Sequence, residues 1–313
     1  MSSLFIFGNG FDIAHGLSTK YSDFRKYIIK KYNINYDYNL QISFDDLFEK
    51  DLDELSVELL LSAMDDATDE NWSDFEDALG YFNFQRKFPK RENTEDEYGN
   101  HNDDNIVEYL QMMDIMGNVF IYCSKNWQVL FSQWIKSIQT FIDNNQIKSK
   151  PALIELFNNP TNKYLTFNYT KTLQTVYGIK KVIHIHNRKG QKLVFGHGVE
   201  NPRYEESFEI GNGLGSSFLD DMLLNLKKDT DTQMKKYKEF FKYLSEDIDK
   251  VYSYGFSYCK VDSVYIKEII SKIADDATWY FTDFEAQDKE GLRIKKIRLR
   301  NYGFKGRFDT YKT

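Results

Sequence analysis

The stretch 4-LFIFGNGFDIAHGLSTKYSDF-24 decides the fold class of this chain. Its apolar run, Leu4–Phe7, leads directly into Gly8-Asn9-Gly10, which is typical of a short buried strand that ends at a glycine turn. Thr19 suits a helix N-cap. Apolar residues follow it at helical spacing: Tyr21, Phe24, Ile28 and Tyr32. We therefore predict a strand over 3–7 and a helix over 20–32, which pack on each other as the first unit of an α/β fold.

The chain beyond residue 160 repeats this alternation of strand and helix. Short apolar runs predict strands over 163–167, 182–186, 193–195, 251–255 and 279–282, and helical spacing predicts helices over 170–177, 217–248 and 266–273. Such alternation is typical of a mainly parallel, Rossmann-like sheet with helices on both faces. The segment 292-LRIKKIRLR-300 alternates apolar and basic residues with one slip, which predicts a bulged strand. Its charges either protect a sheet edge from mispairing or contact phosphate.

The intervening segment has a different pattern. Residues 44–79 are acidic and helical in character, and an apolar stripe over 106–144 predicts one or two long amphipathic helices. Residues 84–105 have almost no apolar content, which predicts a mobile loop. We therefore predict two domains: a nucleotide-binding domain formed by 1–32 and 160–313, and a helical insertion over 33–159.

Composition narrows the class of protein. The 313 residues carry a net charge of −7, with a pI near 5.4, so no overall positive field attracts nucleic acid. The two cysteines, Cys123 and Cys259, lack metal-type spacing and indicate neither a disulfide framework nor structural zinc. No apolar run approaches the roughly 18 residues that a membrane span needs. We expect a soluble protein of the reducing cytoplasm, not associated with a membrane.

Polar residues gather where the predicted strands end. The first strand ends at the glycine turn, and the later ones end near Asn168, His186, His197 and Ser257. Ligands of open α/β sheets bind beyond the carboxyl ends of the strands, so this set predicts a functional site. There the glycines admit a phosphate close to the backbone, the Asn168 amide holds a ribose hydroxyl or a water, and His186 suits a general base. A single histidine of this kind is also compatible with a structural role.

Five motifs resemble those of the AbiH family, bacterial proteins named for abortive infection against phage. They are GNGFDIAHGLSTKYSDF at 8–24, NWSDFEDAL at 71–79, LTFNYTKTLQTVYG at 165–178 with VIHIHN at 182–187, FGHG at 195–198, and YGFSYCKVDSVYIKEI at 254–269. They occur in the family's order and span nearly the whole chain. Two positions depart from the pattern: Asn187, where glycine is common, and Phe256, where histidine is frequent.

The same motifs are similar, more distantly, to those of sirtuin-like NAD-binding domains. GNGF resembles the sirtuin glycine loop, TFNYT its Asn motif, HIHN its His-Gly segment, and YGFS its Gly-x-Ser near the adenosine. The resemblance implies that Asn168 and His186 are the catalytic pair of an NAD-cleaving site. It assigns cofactor binding to Gly8, Asn9, Gly10, Phe11, Asp12, His15 and Ser257. The four-cysteine zinc module of sirtuin deacetylases is absent, so we expect no zinc and no deacetylation.

Three functions stay open on the sequence alone. The first is an anti-phage NAD hydrolase that releases nicotinamide, with Asp12 or Glu76 stabilising positive charge in the transition state. The second is a metal-dependent nuclease or phosphoesterase. The third is a sensor that binds a nucleotide or a phage protein without turnover, through the acidic segment 44–79 and the loop 84–105. Expected partners are a nucleotide, a phage-encoded trigger protein, and a second copy of the chain.

Overall fold

The computed structural model of the protein describes residues 2–34, 42–65, 72–81, 103–199, 221–245 and 247–313. Its strands are β1 (Ser3–Phe7), β2 (Lys163–Thr166), β3 (Ile183–His184), β4 (Lys250–Tyr254), β5 (Thr278–Thr282) and β6 (Arg307–Tyr311). They form a six-stranded sheet in the order β3-β2-β1-β4-β5-β6, and every pairing between these strands is parallel. This is the strand order of the doubly wound dinucleotide-binding folds. β1 lies inside the sheet and pairs with both β2 and β4.

The helices occupy the segments between the strands. They are Asn9–Ile13, Tyr21–Tyr32, Phe44–Glu49, Leu52–Asp65, Trp72–Tyr81, Asp103–Asn144, Pro151–Leu156, Thr172–Tyr177, Thr230–Lys236, Lys238–Lys242, Ser263–Ile270 and Lys289–Asn301, and residues 221–226 are also helical. The predicted helices over 20–32, 44–79, 106–144, 170–177 and 266–273 are confirmed to within a few residues at their ends or breaks. Residues 66–71 of the segment 44–79, residues 84–102 of the predicted loop and residues 217–220 of a predicted helix lie outside the described residues. The predicted loop is wrong at 103–105, which begin the helix Asp103–Asn144, and the predicted helix over 217–248 is broken at 227–229 and ends at Lys242.

Both faces of the sheet are covered, as the sequence predicts for a parallel sheet. Successive residues of a strand point to opposite faces, so Leu4 and Ile6 enter one core while Phe5 and Phe7 enter the other. The first core contains residues of the helices Ser263–Ile270 and Lys289–Asn301. The second contains residues of the helices Asn9–Ile13, Pro151–Leu156 and Thr172–Tyr177.

The predicted bulged strand over 292–300 is wrong, because these residues lie in the helix Lys289–Asn301. The Asp288 carboxylate accepts the backbone N–H of Gly291 and caps this helix, and Arg298 and Arg300 lie in its last turn. Leu299, at a spacing of seven from Leu292, is fully buried, while Ile294 and Ile297 are partly exposed. The basic residues therefore belong to a helix surface, and the neighbour of β5 is β6, which the sequence analysis missed.

Two further strand predictions fail. The predicted strand over 182–186 is only two residues long, because a turn follows His184 and the Asn187 backbone N–H bonds to the His184 carbonyl at 3.0 Å. Residues 193–195 form no strand; Val194 makes one backbone hydrogen bond, to the carbonyl of His186 at 2.9 Å. β3 pairs with β2 through only two residues and forms the edge of the sheet.

The chain divides into two compact units. One consists of Met1–Lys20, Ser132–Val194 and Lys228–Thr313 and contains the whole sheet; we call it the sheet unit. The other consists of Tyr21–Phe131 and Phe195–Lys227; we call it the helical unit. The predicted domains, 1–32 with 160–313 and 33–159, stay a prediction, because compactness alone does not define independently folding domains. Among the described residues, no helix combines the length and the apolar character that crossing a bilayer requires.

Candidate functional site

The glycine turn after β1 packs against the turn after β4. The Gly8 backbone N–H donates to the Tyr254 carbonyl at 2.9 Å, and that of Gly10 donates to the Gly255 carbonyl at 3.0 Å. A Cβ on Gly8 would lie 2.5 Å from the Gly255 oxygen, and a Cβ on Gly10 would lie 2.6 Å from the Gly255 Cα. The two turns therefore approach so closely that side chains are excluded between their backbones.

The contact with Gly255 changes the explanation for why Gly8 and Gly10 are glycines. The sequence analysis expects their missing Cβ atoms to leave room for a phosphate, but the Cβ positions of Gly8 and Gly10 point at Gly255. The backbone N–H groups of Gly8, Gly10 and Phe11 also already have acceptors inside the protein. A role of this turn in holding a nucleotide stays a prediction, and it would have to use other groups than these.

Three more predicted binding residues are bound within the sheet unit. Asn9 donates its side-chain amide to the Thr19 carbonyl at 2.9 Å, and Phe11 is buried in the aromatic core. His15 has both ring nitrogens engaged, Nδ1 with the Phe11 carbonyl at 2.7 Å and Nε2 with the Tyr177 hydroxyl at 2.6 Å. Burial, more than any other cause, lowers the pKa of His15. These contacts are those of structural residues.

Asp12 is the polar residue that the turn buries most deeply. Its carboxylate accepts the hydroxyl of Thr170 at 2.5 Å and that of Thr172 at 2.7 Å, and only 1% of the residue is exposed. Burial raises the pKa of Asp12 to about 6, against the opposing effect of the threonine and Asn168 hydrogen-bond donors. A carboxyl with such a pKa exchanges a proton close to neutral pH.

Asn168 lies beside Asp12 at the end of β2. Its side-chain amide is close enough to favour the ionised form of Asp12, yet its buried Nδ2 forms no hydrogen bond of regular geometry to any described residue. Buried amide donors almost always have an acceptor, so this one marks a position where a ligand oxygen would fit. We call Asp12, Asn168, Thr170 and Thr172 the amide–carboxyl cluster.

The backbone of Asn168 is fixed from both sides. Its N–H donates to the Thr166 hydroxyl at 3.0 Å, and its carbonyl oxygen lies 3.1 Å from Nδ1 of His184. The other ring nitrogen of His184 lies 2.7 Å from Nε2 of Gln174, and burial lowers the pKa of His184 to about 4. His184 is therefore neutral near pH 7 and contacts the predicted catalytic asparagine directly.

His186, two residues after the end of β3, belongs to a second cluster. Its Nε2 lies 2.9 Å from Oδ1 of Asp262, which also lies 3.4 Å from the Lys228 ammonium, and the Cys259 thiol lies 3.4 Å from Oδ2. We call His186, Lys228 and Asp262 the buried ion cluster; at most 6% of each side chain is exposed.

Burial, with the Lys228 charge second, lowers the pKa of His186, whereas Lys228 and His186 hold the pKa of Asp262 below its usual range. The Phe167 carbonyl also faces the His186 ring and favours its protonated form. The imidazole is therefore already engaged by the Asp262 carboxylate and the Phe167 carbonyl. Only 3% of His186 is exposed, and its role as a general base stays a prediction that requires one of these contacts to break.

Sequence reasoning missed Lys228 and Asp262. Asp262 lies inside the quoted motif at 254–269, eight residues after β4, and an acid this close to the carboxyl end of a predicted strand is the signal that could have found it. Nothing in the local sequence marks Lys228, since it is one of many lysines in the chain.

The remaining predicted residues make other contacts. Ser257 is exposed, and its carbonyl accepts from Arg298 at 2.8 Å. His197 belongs to the helical unit, where its Nε2 lies 3.0 Å from the Leu223 carbonyl. A Cβ on Gly80 would lie 2.9 Å from the His197 ring, so the FGHG motif packs on the helix that carries NWSDFEDAL. Glu76 of that helix is buried, and its predicted approach to the site stays a prediction.

The two departures from the family pattern have physical reasons. Asn187 has φ of +64°, a left-handed conformation in which asparagine is the best tolerated residue after glycine. Phe256 stacks on Phe167 with ring centroids 4.1 Å apart, so an apolar contact occupies this position. In the part of the chain that the structure describes, no three His, Cys, Asp or Glu side chains come together as metal ligands.

The family described as "Bacteriophage abortive infection AbiH" matches residues 4–283, which is nearly the whole chain. The chain belongs to the AbiH family and is thus a phage abortive-infection defence protein. No curated protein and no solved structure matches the chain.

Proposed function

We propose that this AbiH protein hydrolyses the N-glycosidic bond of NAD or a related nucleotide during phage infection. The observation that carries the proposal is the buried Nδ2 of Asn168, which has no regular hydrogen-bond partner among the described residues and lies beside the Asp12 carboxyl. The cluster lies at the carboxyl ends of β1 and β2 in a sheet with the dinucleotide-binding strand order, where ligands of such sheets bind.

The chemistry assigns one task to each group. Asn168 donates a hydrogen bond to a ribose hydroxyl and so fixes the sugar. The bond from the ribose carbon to the nicotinamide nitrogen breaks, and its electron pair leaves with nicotinamide as the sugar becomes oxocarbenium-like. Water adds to the ribose carbon and passes a proton to Asp12, whose pKa of about 6 suits this transfer. The negative carboxylate also stabilises the developing positive charge.

This assignment moves the acid–base role from His186 to Asp12. His186 is bound to Asp262 at 2.9 Å, whereas the Asp12 carboxyl is held only by neutral hydroxyl and amide donors. Neutral donors leave a carboxyl able to accept a proton without breaking an ion pair.

The test measures nicotinamide and NAD in phage-infected cells that carry wild-type protein, Asn168→Ala or Asn158→Ala. Asn158 is an exposed asparagine of the same unit and serves as the matched control. NAD should fall and nicotinamide should rise with the wild type and with Asn158→Ala, but not with Asn168→Ala. Protection of cells by Asn168→Ala would overturn the proposal. Tight NAD binding by the purified wild type without turnover would favour the sensor. The nuclease alternative stays a prediction that no geometry in the described residues favours.

A further inference from the structure

His184 touches the backbone of the asparagine on which the proposed function depends. It is the last residue of β3, and only 3% of it is exposed. Its Nδ1 lies 3.1 Å from the Asn168 carbonyl oxygen, and its Nε2 lies 2.7 Å from the Gln174 amide nitrogen. Its own carbonyl accepts from the Tyr237 hydroxyl at 2.9 Å, so its backbone is fixed as well.

These contacts determine the tautomer of the ring. A carbonyl oxygen only accepts hydrogen bonds, so Nδ1 must carry the proton that points at Asn168. A neutral imidazole has one N–H, and Nε2 must then accept the N–H of Gln174. The opposite tautomer would place the Nδ1 lone pair against the Asn168 carbonyl. Burial keeps the ring neutral near pH 7, since it lowers the pKa of His184 to about 4.

The backbone contact matters because it holds the chain segment that carries the Asn168 side chain beside Asp12. The Asn168 Nδ2 makes no regular hydrogen bond among the described residues, so a shift of the backbone at Cα moves the amide with it. The Thr166 hydroxyl fixes the N–H side, and His184 fixes the carbonyl side. The Gln174 Oε1 is buried and has no hydrogen-bond partner among the described residues. The Gln174 side chain therefore contacts its surroundings through its amide N–H, which faces His184.

We infer that His184 is a positioning residue for Asn168 and that Gln174 sets its tautomer. His184 thus acts through Asn168, whereas His186 belongs to the buried ion cluster. The kinetic part of this inference rests on the proposed function, but the state of the ring does not.

The first experiment exchanges the amide of Gln174 for a carboxylate in Gln174→Glu. A carboxylate accepts a proton from Nε2 and stabilises the imidazolium, so the pKa of His184 rises. Below the new pKa the imidazolium donates to both partners, and Asn168 keeps its position. Above it the single proton lies between the ring and the carboxylate, the Nδ1 lone pair faces the Asn168 carbonyl, and Asn168 shifts.

We expect kcat for NAD hydrolysis by Gln174→Glu to fall about 100-fold as pH rises through that pKa, with KM little changed, because a displacement of about 1 Å is enough for such a loss. The control is Gln191→Glu, which adds the same charge at an exposed glutamine of the sheet unit and should keep the wild-type pH profile. A merely structural role would lower the melting temperature without creating this pH dependence. A Gln174→Glu profile identical to wild type would overturn the inference.

A second pair of variants covers the case in which Gln174→Glu folds poorly. His184→Asn places an amide N–H close to the Nδ1 position and should keep at least tenfold more turnover than His184→Ala. Equal activity of the two would overturn the inference.

The ring itself is observed by nitrogen NMR of ¹⁵N-histidine-labelled protein. In the wild type, Nδ1 of His184 should be protonated and Nε2 unprotonated near pH 7; the reverse would overturn the inference. If the wild type shows no NAD turnover under any phage trigger, the proposed function fails, while the NMR result still decides the tautomer and the Gln174 contact.

Discussion

Replacement of Gly255 tests the contact on which the carboxyl end of the sheet is built. Gly255 has φ of +61°, and a Cβ there would overlap the Gly10 backbone. The left-handed conformation costs about 1–2 kcal/mol for a residue with a Cβ. Forcing a methyl group between two packed backbones costs about 1–3 kcal/mol more. We therefore expect Gly255→Ala to lower the free energy of unfolding of the sheet unit by about 2–5 kcal/mol.

Two matched variants separate these two costs. Gly178 ends the helix Thr172–Tyr177 with φ of +68° and has nothing within 4 Å of its Cβ position, so Gly178→Ala carries the conformational cost alone. Gly10 has no positive φ but meets Gly255, so Gly10→Ala carries the overlap alone. The losses of unfolding free energy in Gly178→Ala and Gly10→Ala, added together, should approach the loss in Gly255→Ala.

Hydrogen exchange of the β1 and β4 backbone amides is the assay, because it reports the stability of the sheet unit separately from that of the helical unit. If Gly255→Ala destabilises these strands no more than Gly178→Ala does, the two turns are able to separate, and the close packing is not a constraint.

Two further variants test the charged groups. Asp262→Asn removes the carboxylate that Lys228 and His186 share; urea denaturation should show a loss of about 3–5 kcal/mol, and Lys228→Met in the same chain should restore much of it. If the single variant equals the double variant in stability, the cluster is not held by charge. Asp12 binds its proton more tightly in the folded state, with a pKa raised from 3.8 to about 6, so its contribution to stability falls as pH rises through that window. The unfolding free energy of the wild type relative to Asp12→Asn should thus fall by about 3 kcal/mol in total as pH rises from about 3 to about 7, with about 2 kcal/mol of this change between pH 4 and pH 6, and stay level above that range; a pH-independent difference would contradict the raised pKa.

The residues at the strand ends show how much of the candidate site the sequence predicted. Asn168 and Asp12 follow neighbouring parallel strands. Its position at a strand end predicted Asn168 as a site residue, whereas Asp12 was assigned through the sirtuin resemblance. His186 was the predicted general base, and the structure gives the contact with Asn168 to the other histidine of this segment, His184. Both lie at the end of β3, and position along the strand favoured His186, but the contact with Asn168 belongs to His184. Side-chain direction in a turn depends on its dihedral angles, which the sequence pattern does not contain.

The segment 292–300 shows the same limit for secondary structure. Its alternation fits a strand, while its leucines at a spacing of seven and the cap at Asp288 fit a helix. Lysine, arginine and leucine are all good helix formers, so local preference also favoured the helix. The core contact of Leu299 and the pairing of β5 with β6 decide between the two.

The sequence by itself determined the α/β class, the parallel sheet and the family, because hydrophobic periodicity and motif order are local properties of the chain. Only the tertiary structure decided what the motif residues touch. The glycines of the first turn proved to pack on Gly255, and the charge of Asp262 proved to be shared with Lys228 and His186. These partners are distant along the chain. The residue type at a position gives only the kinds of bond that its side chain is able to form, and not the partner. Folding brings the partners together and so selects among those bonds.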